Sequence, residues 1–241
     1  MSAGKTPRVH SEEKRGSETK HEGEWLLGAL GAAGAYLLAI MPERKHRAER
    51  MKGIFYAHRG LHDLEAGVPE NSMAAFAAAV EKGYGIELDV QLTRDQIPVV
   101  FHDFTLKRVC SAEGRVKDYT FEELQQFSIE GTNQRIPEFA DVLQLVNGAV
   151  PLLIELKCPD LGCEICRLTD QELQGYRGSY IIESFSPMAL LWYRRHRPEI
   201  CRGQLSMNFQ RQEGTYDPQQ LIARHLLTNF LAKPDFIAYD I

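Results

Sequence analysis

The rest of the chain is arranged around the stretch GYGIELDVQLTRDQIPVVFHD, residues 83–103, in which two short apolar runs carry acidic and imidazole groups. In the first run, Glu87 and Asp89 are two residues apart, so in a strand their side chains leave the same face. Two carboxylates on an otherwise apolar strand are costly to bury unless a cation lies between them, and a hard divalent cation with oxygen ligands suits them. His102 and Asp103 end the second run, where a loop begins. The alternative is a surface strand with a solvated acidic face, which the alternating apolar neighbours disfavour.

Composition sets broad limits on what the chain can be. Its 241 residues are 44% hydrophobic and 25% charged, which is typical of a globular protein with one large core or two small ones. The net charge of -5 gives no reason to expect nucleic acid as a partner. Five cysteines show no disulfide-scaffold spacing. Cys163 and Cys166, with Cys158 nearby, could bind zinc, but one CxxC without a second pair is a weak indication.

The N-terminal region divides into three segments. Residues 1–24 are polar and are expected to form a disordered tail. Residues 25–41 carry no charge and are predicted to be a single transmembrane anchor, close to the shortest length that spans a bilayer. A cleaved signal peptide or a buried core helix are the alternatives for this segment. Residues 42–52 form a basic linker, whose excess of positive charge predicts that the following domain faces the cytoplasm.

From residue 53 to 241 the pattern becomes that of an α/β domain, in which strands alternate with helices and so predict a parallel sheet. Ser72 or Asn71 can cap a helix that ends at Gly83, and Thr120 with Glu123 forms a capping box. The seven predicted strands cover residues 54–57, 86–92, 97–101, 151–157, 180–185, 202–206 and 236–241. Further helices are expected after Pro137, from Ser186 to about Arg197, and from Asp217 to about Leu231.

Polar side chains follow or end several of these strands, which is where a (β/α)8 barrel builds its active site. Three carboxylates with water suit Ca²⁺ or Mg²⁺ better than zinc, two histidines suit a general acid and a general base, and Arg or Lys suits a phosphate. Together these groups describe metal-assisted cleavage of a phosphodiester. The residues concerned are His58, Arg59, Glu87, Asp89, His102, Glu155, Lys157 and Glu183.

The same residues lie in motifs that resemble those of the glycerophosphodiester phosphodiesterase family. The resemblance covers about residues 54–241, and the order and spacing of its motifs are specific. The matching motifs are HRG at 58–60, PENS at 69–72, AF at 75–76, ELDV at 87–90, Thr-x-Asp at 93–95, VVFHD at 99–103, IP at 136–137, IELK at 154–157 and ESF at 183–185.

This resemblance implies a TIM barrel that hydrolyses glycerophosphodiesters to an alcohol and glycerol 3-phosphate. It implies a divalent metal, Ca²⁺ or Mg²⁺, held by Glu87, Asp89 and Glu155. It also implies that His58 and His102 are the acid/base pair, without deciding which is the acid or whether water or the glycerol hydroxyl is the nucleophile. The implied phosphate ligands are Arg59 and Lys157, and the possible lining residues are Glu70 and Glu183.

The C-terminal part departs from the family pattern. Seven predicted strands leave the barrel one strand short, so we expect a barrel that is truncated at its C-terminus. The family's cap segment after residue 103 is also short here. Two other functions stay open at this point. One is a lysophospholipase D that acts on membrane lipids, and the other is an anchored barrel that binds phosphodiesters without turnover.

Overall fold

The computed structural model describes residues 10–43, 46–158, 162–207 and 226–240. These residues form one seven-stranded sheet with helices packed on its outer side. The strands are β1 (Tyr56–Ala57), β2 (Gly85–Leu92), β3 (Pro98–Val100), β4 (Leu152–Leu156), β5 (Tyr180–Ser184), β6 (Arg202–Met207) and β7 (Phe236–Asp240). The helices are α1 (His10–Ile40), α2 (Met73–Lys82), α3 (Lys107–Cys110), α4 (Phe121–Leu124), α5 (Phe139–Val146), α6 (Glu164–Leu173), α7 (Pro187–His196) and α8 (Asn229–Ala232).

Six of the strands run parallel in the order β1-β2-β4-β5-β6-β7 and curl into an open half-barrel. The expectation of a parallel sheet built from alternating strands and helices is therefore confirmed. The register places Asp89 of β2 beside Glu155 of β4, and Glu155 beside Glu183 of β5. Because these residues are level across three neighbouring strands, their side chains form one row on the inner face of the sheet.

Our prediction that residues 97–101 form another strand of the parallel sheet is wrong in its direction. β3 pairs antiparallel with β2, with Val90 opposite Val100 and Leu92 opposite Pro98. Only a tight turn separates the two strands. The Thr93 amide donates to the Ile97 carbonyl, and the Ile97 amide donates to the Thr93 hydroxyl. A parallel pairing would need a crossover connection of roughly a dozen residues or more. The hairpin nevertheless brings His102 back to the level of Asp89, because the amide of Phe101 donates to the Asp89 carbonyl at 2.9 Å.

The core lies between the sheet and the helices. The inward stripe of α5 and the outer face of β2 and β4 supply many of its side chains, and each of these is fully or almost fully buried. They include Phe139, Val142, Leu143, Val146, Leu88, Val90, Leu152 and Ile154. Burial of this apolar surface stabilises the fold by about 25 cal/mol for each Å² removed from water.

The ends of the helices follow the predicted capping chemistry. Ser72 caps α2 and accepts a hydrogen bond from the Ala75 amide at 3.2 Å, and Gly83 ends the helix in the left-handed conformation, φ 72°. Thr120 and Glu123 form the predicted capping box at α4. These caps explain why the chain leaves α2 directly into β2, the strand that carries the site.

The segment that follows β3 has a core of its own. Its apolar side chains pack under the α3 and α4 turns and join the main domain through Val99 and Phe101. The other members of this cluster are Leu106, Val109, Val116, Leu124, Ile129 and Ile136. This segment, residues 104–136, is called the cap below, and its buried apolar cluster gives it a folded conformation.

The N-terminal segment differs from its prediction. Residues 10–24, which we expected to be disordered, belong to helix α1, while residues 1–9 lie outside the described part of the chain. Residues 10–24 contain no proline and many good helix formers, which makes this conformation accessible. The end of α1 contacts α8, where Asn229 Nδ2 donates to the Ile40 carbonyl at 3.1 Å.

The predicted transmembrane anchor over residues 25–41 has no support. Among the described residues, none of the helices is long and apolar enough to cross a membrane. The charge-free part of α1 runs only from Trp25 to the end of the helix at Ile40, whereas a bilayer core requires roughly 20 apolar residues.

At the C-terminal end, most of the predicted helix from Asp217 lies outside the described residues. Its last part is seen as α8, and β7 follows in parallel beside β6, as predicted. Within the described chain, β1 and β7 are the two edges of the curled sheet.

Candidate active site

The site is built around three carboxylates on the inner face of the sheet. Glu87 and Asp89 come from β2 and Glu155 from β4, and one oxygen of each lies within 4.8 Å of the others. Their exposed fractions are 6%, 0% and 7%. In the part of the chain that the structure describes, this is the one group of three acidic, histidine or cysteine side chains that could hold a metal ion. The weak indication of zinc at the cysteines is not supported there.

Hydrogen bonds from neighbouring segments orient these carboxylates. The Arg59 amide donates to Glu87 Oε2 at 2.8 Å, and Asn71 Nδ2 donates to Asp89 Oδ2 at 2.8 Å. Lys157 Nζ lies 2.8 Å from Glu155 Oε1. Because each carboxylate has a fixed partner, its rotation is restricted.

The protonation of the carboxylates reflects burial and crowding. Burial, together with the charge of Asp89, raises the pKa of Glu87 well above its usual range. Burial is also the main reason that the pKa of Glu155 is raised to about 7. Burial would raise the pKa of Asp89 as well, but Lys157, His102 and Asn71 together outweigh it and the net pKa is lowered. Ionisation of Glu87 and Glu155 is therefore unfavourable with the protein's own cations alone, and a bound cation would favour their ionised forms.

Glu183 of β5 extends the row by one strand. It is 5% exposed, and burial, followed by the charges of Glu155 and Asp89, raises its pKa to about 8. A pKa of this size favours the protonated form of Glu183 at neutral pH, and the register places the residue beside Glu155. It does not belong to the compact cluster of the three carboxylates.

The two predicted histidines follow β1 and β3, both of which pair with β2. His58 follows β1 and is well exposed, with Nε2 at 3.9 Å from Glu87 Oε2. His102 follows β3, is less exposed, and its Nδ1 is 2.6 Å from Asp103 Oδ1. Burial, with the charge of Arg59 for His58 and of Lys157 for His102, lowers both pKa values. Both imidazoles are therefore largely neutral at pH 7, the state in which either can accept a proton.

The predicted cations also reach the site. Arg59 NH1 donates to both oxygens of Glu70 at 3.0 and 3.1 Å, and Arg59 Nε lies 3.8 Å from Asp89. Arg59 and Asn71 adopt left-handed backbone conformations, with φ of 57° and 49°, and the Asn71 amide donates to the Arg59 carbonyl at 2.9 Å. Such conformations in residues other than glycine are uncommon and concentrate at functional sites.

Three residues that support the site were not assigned from the sequence. Asn71 was considered only as a helix cap, yet its side chain binds Asp89. Gln91 Nε2 donates to the carbonyls of Phe101 and Asp103 at 2.7 and 2.8 Å, which holds the backbone on both sides of the histidine. Gln91 could have been found, because it shares the inner face of β2 with the two acidic residues. The third residue, Arg108, lies in a cap segment without a recognisable pattern.

A cavity of about 680 Å³ opens beside the cluster, between the carboxyl ends of β2 and β4 and the cap. Lys157 stands at its border with the carboxylates, while Gln91 and Thr93 form its β2 wall. Phe104 and Ile165 are among its apolar lining residues. The cavity is large enough for the part of a substrate that extends beyond a reacting group at the cluster.

Similarity to known proteins indicates one enzyme family. Residues 58–233 match the glycerophosphoryl diester phosphodiesterase family. The chain is 36% identical over 166 residues to a glycerophosphodiester phosphodiesterase of Caldanaerobacter subterraneus subsp. tengcongensis, a match covering 64% of this chain and 67% of that protein. It is 41% identical over 109 residues to a glycerophosphodiester phosphodiesterase of Bacillus altitudinis, covering 42% of this chain and 43% of the relative.

Solved structures share the fold. An Oleispira antarctica phosphodiesterase in complex with the product sn-glycerol-3-phosphate superposes with a TM-score of 0.61 at 23% identity, covering 80% of this chain and 94% of that one. A glycerophosphoryl diester phosphodiesterase from Silicibacter pomeroyi, described as putative, superposes with a TM-score of 0.58 at 23% identity, covering 78% and 75% of the two chains. At this level of identity, the likeness concerns the fold alone.

Proposed function

The chain belongs to the glycerophosphoryl diester phosphodiesterase family, and we propose that it hydrolyses glycerophosphodiesters to an alcohol and sn-glycerol 3-phosphate with the help of a divalent cation. One observation carries this proposal: three buried carboxylates, Glu87, Asp89 and Glu155, come within 4.8 Å of one another on the inner face of a parallel sheet. The relatives named above as glycerophosphodiester phosphodiesterases, and the product named for the Oleispira protein, support the choice of substrate.

The donor set fits a hard divalent cation. Glu87, Asp89 and Glu155 offer only oxygen atoms, which Ca²⁺ and Mg²⁺ prefer. The raised pKa values of Glu87 and Glu155 have burial as their first cause and neighbouring carboxylates among the others, and a cation among these groups would offset both effects. A cation held by these three residues would supply charge for the phosphate oxygens as the transition state develops.

The protein's own cations have a separate task. Arg59 carries a planar guanidinium that can bind two phosphate oxygens. Its NH1 donates to the carboxylate of Glu70, which fixes the position of the guanidinium. Lys157 lies between the carboxylate cluster and the cavity. We assign these two residues to the orientation of the phosphate, so that the scissile bond lies between the two imidazoles.

The two histidines exchange the protons of the reaction. One neutral imidazole takes a proton from the attacking hydroxyl or water, and the other, in its protonated state, donates one to the leaving alkoxide. For His102, Nδ1 donates to Asp103, which leaves Nε2 for the proton transfer. For His58, the Nε2 near Glu87 is the nitrogen closer to the cluster.

The test is the release of glycerol 3-phosphate from defined diesters by the full chain, with and without EDTA. Glycerophosphocholine, glycerophosphoethanolamine and lysophosphatidylcholine are compared as substrates. We expect metal-dependent hydrolysis of the first two, and loss of turnover in Glu87→Gln and Asp89→Asn but not in the exposed control Glu122→Gln. Preferred hydrolysis of the lysophospholipid would instead favour a lysophospholipase D activity. If no diester is hydrolysed in the presence of Ca²⁺ or Mg²⁺, the result would favour the alternative of a barrel that binds phosphodiesters without turnover.

A further inference from the structure

Arg108 joins two carboxylates that come from distant parts of the chain. It lies on α3 in the cap, and its Nε donates to Asp103 Oδ2 at 2.7 Å while NH2 donates to Asp103 Oδ1 at 2.8 Å. The same NH2 donates to Glu70 Oε1 at 2.6 Å, although the two residues are 38 positions apart in the sequence. The guanidinium of Arg108 therefore binds the carboxylate of Asp103 through two nitrogens and also donates to the carboxylate of Glu70.

Each of the two carboxylates holds a group of the proposed active site. Asp103 Oδ1 is 2.6 Å from Nδ1 of His102. Glu70 accepts from NH1 of Arg59 at 3.0 and 3.1 Å. The contacts form a continuous chain from the imidazole to the phosphate-binding guanidinium, with Arg108 in the middle.

We infer that Arg108 is a positioning residue for the hydrolysis: it acts through Asp103 on the imidazole of His102 and through Glu70 on the guanidinium of Arg59. This inference rests on the proposed function. Without Arg108, the carboxylate of Asp103 is free to rotate, and the imidazole it holds loses its fixed tautomer and direction. Glu70 loses its second partner in the same change, so both ends of the chain of contacts loosen together.

The electrostatics agree with this arrangement. Burial would raise the pKa of Asp103, but the hydrogen bonds from Arg108 and then from His102 outweigh it and lower that pKa to about 2. Asp103 is therefore ionised at neutral pH and remains an acceptor for the imidazole. Glu70 is also held below its usual pKa, because Arg108 and Arg59 together outweigh burial.

The competing explanation is a surface ion pair that merely attaches the cap to the barrel. The side chain of Arg108 is 47% exposed, and ion pairs at such positions contribute little to stability. The chain supplies a matched control for this explanation. Arg167 on α6 is 48% exposed and pairs with Glu164; Glu164 is among the residues that line the cavity, but Arg167 is not.

The experiment compares Arg108→Ala, Arg108→Lys and Arg167→Ala in the full chain. We expect Arg108→Ala to lower kcat by about 10- to 100-fold, because small misplacements of reacting groups have effects of this size, with little change in melting temperature. Arg108→Lys should recover little of this loss, since one ammonium cannot reproduce the fork geometry. Arg167→Ala should keep the activity of the parent.

Two further readouts separate positioning from a structural role. Millimolar guanidinium ion should restore part of the kcat of Arg108→Ala, whereas sodium at equal ionic strength should not. The ¹⁵N shifts of the imidazole of His102, assigned by comparison with His102→Ala, should report the Nδ1–H tautomer in the parent and a mixture of tautomers in Arg108→Ala.

The outcomes are distinguishable from those of the proposed function. If the parent hydrolyses no diester, the proposed function fails, while the tautomer measurement still decides whether Arg108 positions the imidazole. If Arg108→Ala keeps kcat within about twofold of the parent and the Nδ1–H tautomer, the inference is overturned. A loss of kcat that follows only the loss of folded protein, without rescue by guanidinium, overturns it as well.

Discussion

Lys157 Nζ lies 3.0 Å from Asp89 Oδ1, across the parallel pair of strands β4 and β2. Both side chains are almost completely buried. The ammonium group contacts two of the three carboxylates, Asp89 and Glu155, which together outweigh burial and raise its pKa. The Lys157 ammonium therefore stabilises the two carboxylates by direct attraction, and its removal would leave their buried negative charge uncompensated.

The first prediction follows from this contact. Lys157→Met should lower the free energy of unfolding by about 3 kcal/mol in EDTA, because buried carboxylates lose their cation. Added Ca²⁺ or Mg²⁺ should then stabilise the variant more than the parent, since the ammonium no longer competes for the same oxygens. Denaturant unfolding with and without the metal measures both effects. An equal metal-induced stabilisation in parent and variant would contradict the proposed cation site.

The second prediction identifies the acid and the base. His58→Ala and His102→Ala should each lower kcat on glycerophosphocholine by on the order of 10²-fold or more. A diester with a nitrophenolate leaving group needs no protonation on departure, so the variant that lacks the general acid should recover most of its turnover on that substrate. The variant that lacks the base should stay slow on both substrates. Equal behaviour of the two variants on the two substrates would contradict separate roles.

Much of the site could be predicted because it depends on local geometry. The two-residue period of a strand puts Glu87 and Asp89 on one face, and parallel strands bring their carboxyl ends to one edge. The same reasoning places Glu155 and Lys157 beside them once β4 is recognised. The alternation of strands and helices likewise predicted the parallel sheet without knowledge of any contact.

The parts that could not be predicted depend on contacts between distant segments. Arg108 meets Glu70 only because the cap folds back over the sheet, and no periodicity in residues 104–118 indicates that fold. The direction of β3 was misread because a short apolar run has the same appearance in a parallel strand and in a hairpin. The tight turn at Thr93 to Ile97 was the feature that could have decided it.

The third prediction concerns the glycine of the HRG motif. Gly60 has φ +82°, and a Cβ there would lie 2.8 Å from Cβ of Ala75 and 3.0 Å from Cδ1 of Phe76. Gly60→Ala should therefore lower the free energy of unfolding by about 2–4 kcal/mol, through backbone strain and overpacking together. It should also lower activity, because His58 and Arg59 immediately precede the displaced residue.

A matched control isolates the packing part of this effect. Gly131 has φ +71°, but a Cβ at that position would meet nothing within 4 Å. Gly131→Ala should cost about 1 kcal/mol from strain alone and leave kcat unchanged. Thermal and denaturant unfolding of both variants, with kcat measured on the same preparations, checks the pair. Similar losses in the two variants would mean that α2 accommodates the added methyl group.

The last prediction concerns a carboxyl group outside the site. Glu172 of α6 is partly buried, and its Oε2 has no hydrogen-bond partner within the described residues. Burial, followed by the charge of Glu138, raises its pKa from 4.5 to about 7. Between these two values the folded protein binds more protons than the unfolded chain, so stability falls as the pH rises through this range.

Glu172→Gln removes the ionisable group, and therefore also the fall in stability that its ionisation causes as the pH rises. We expect the variant to equal the parent near pH 4 and to exceed its free energy of unfolding by about 1–2 kcal/mol near pH 8, a value reduced for solvent screening at a partly exposed group. The exposed Glu122→Gln serves as the control and should show a difference that does not change with pH. Urea unfolding across this range measures the difference. A constant difference between the Glu172→Gln variant and the parent at both pH values would mean that Glu172 is ionised in the folded protein and that its surroundings solvate the charge.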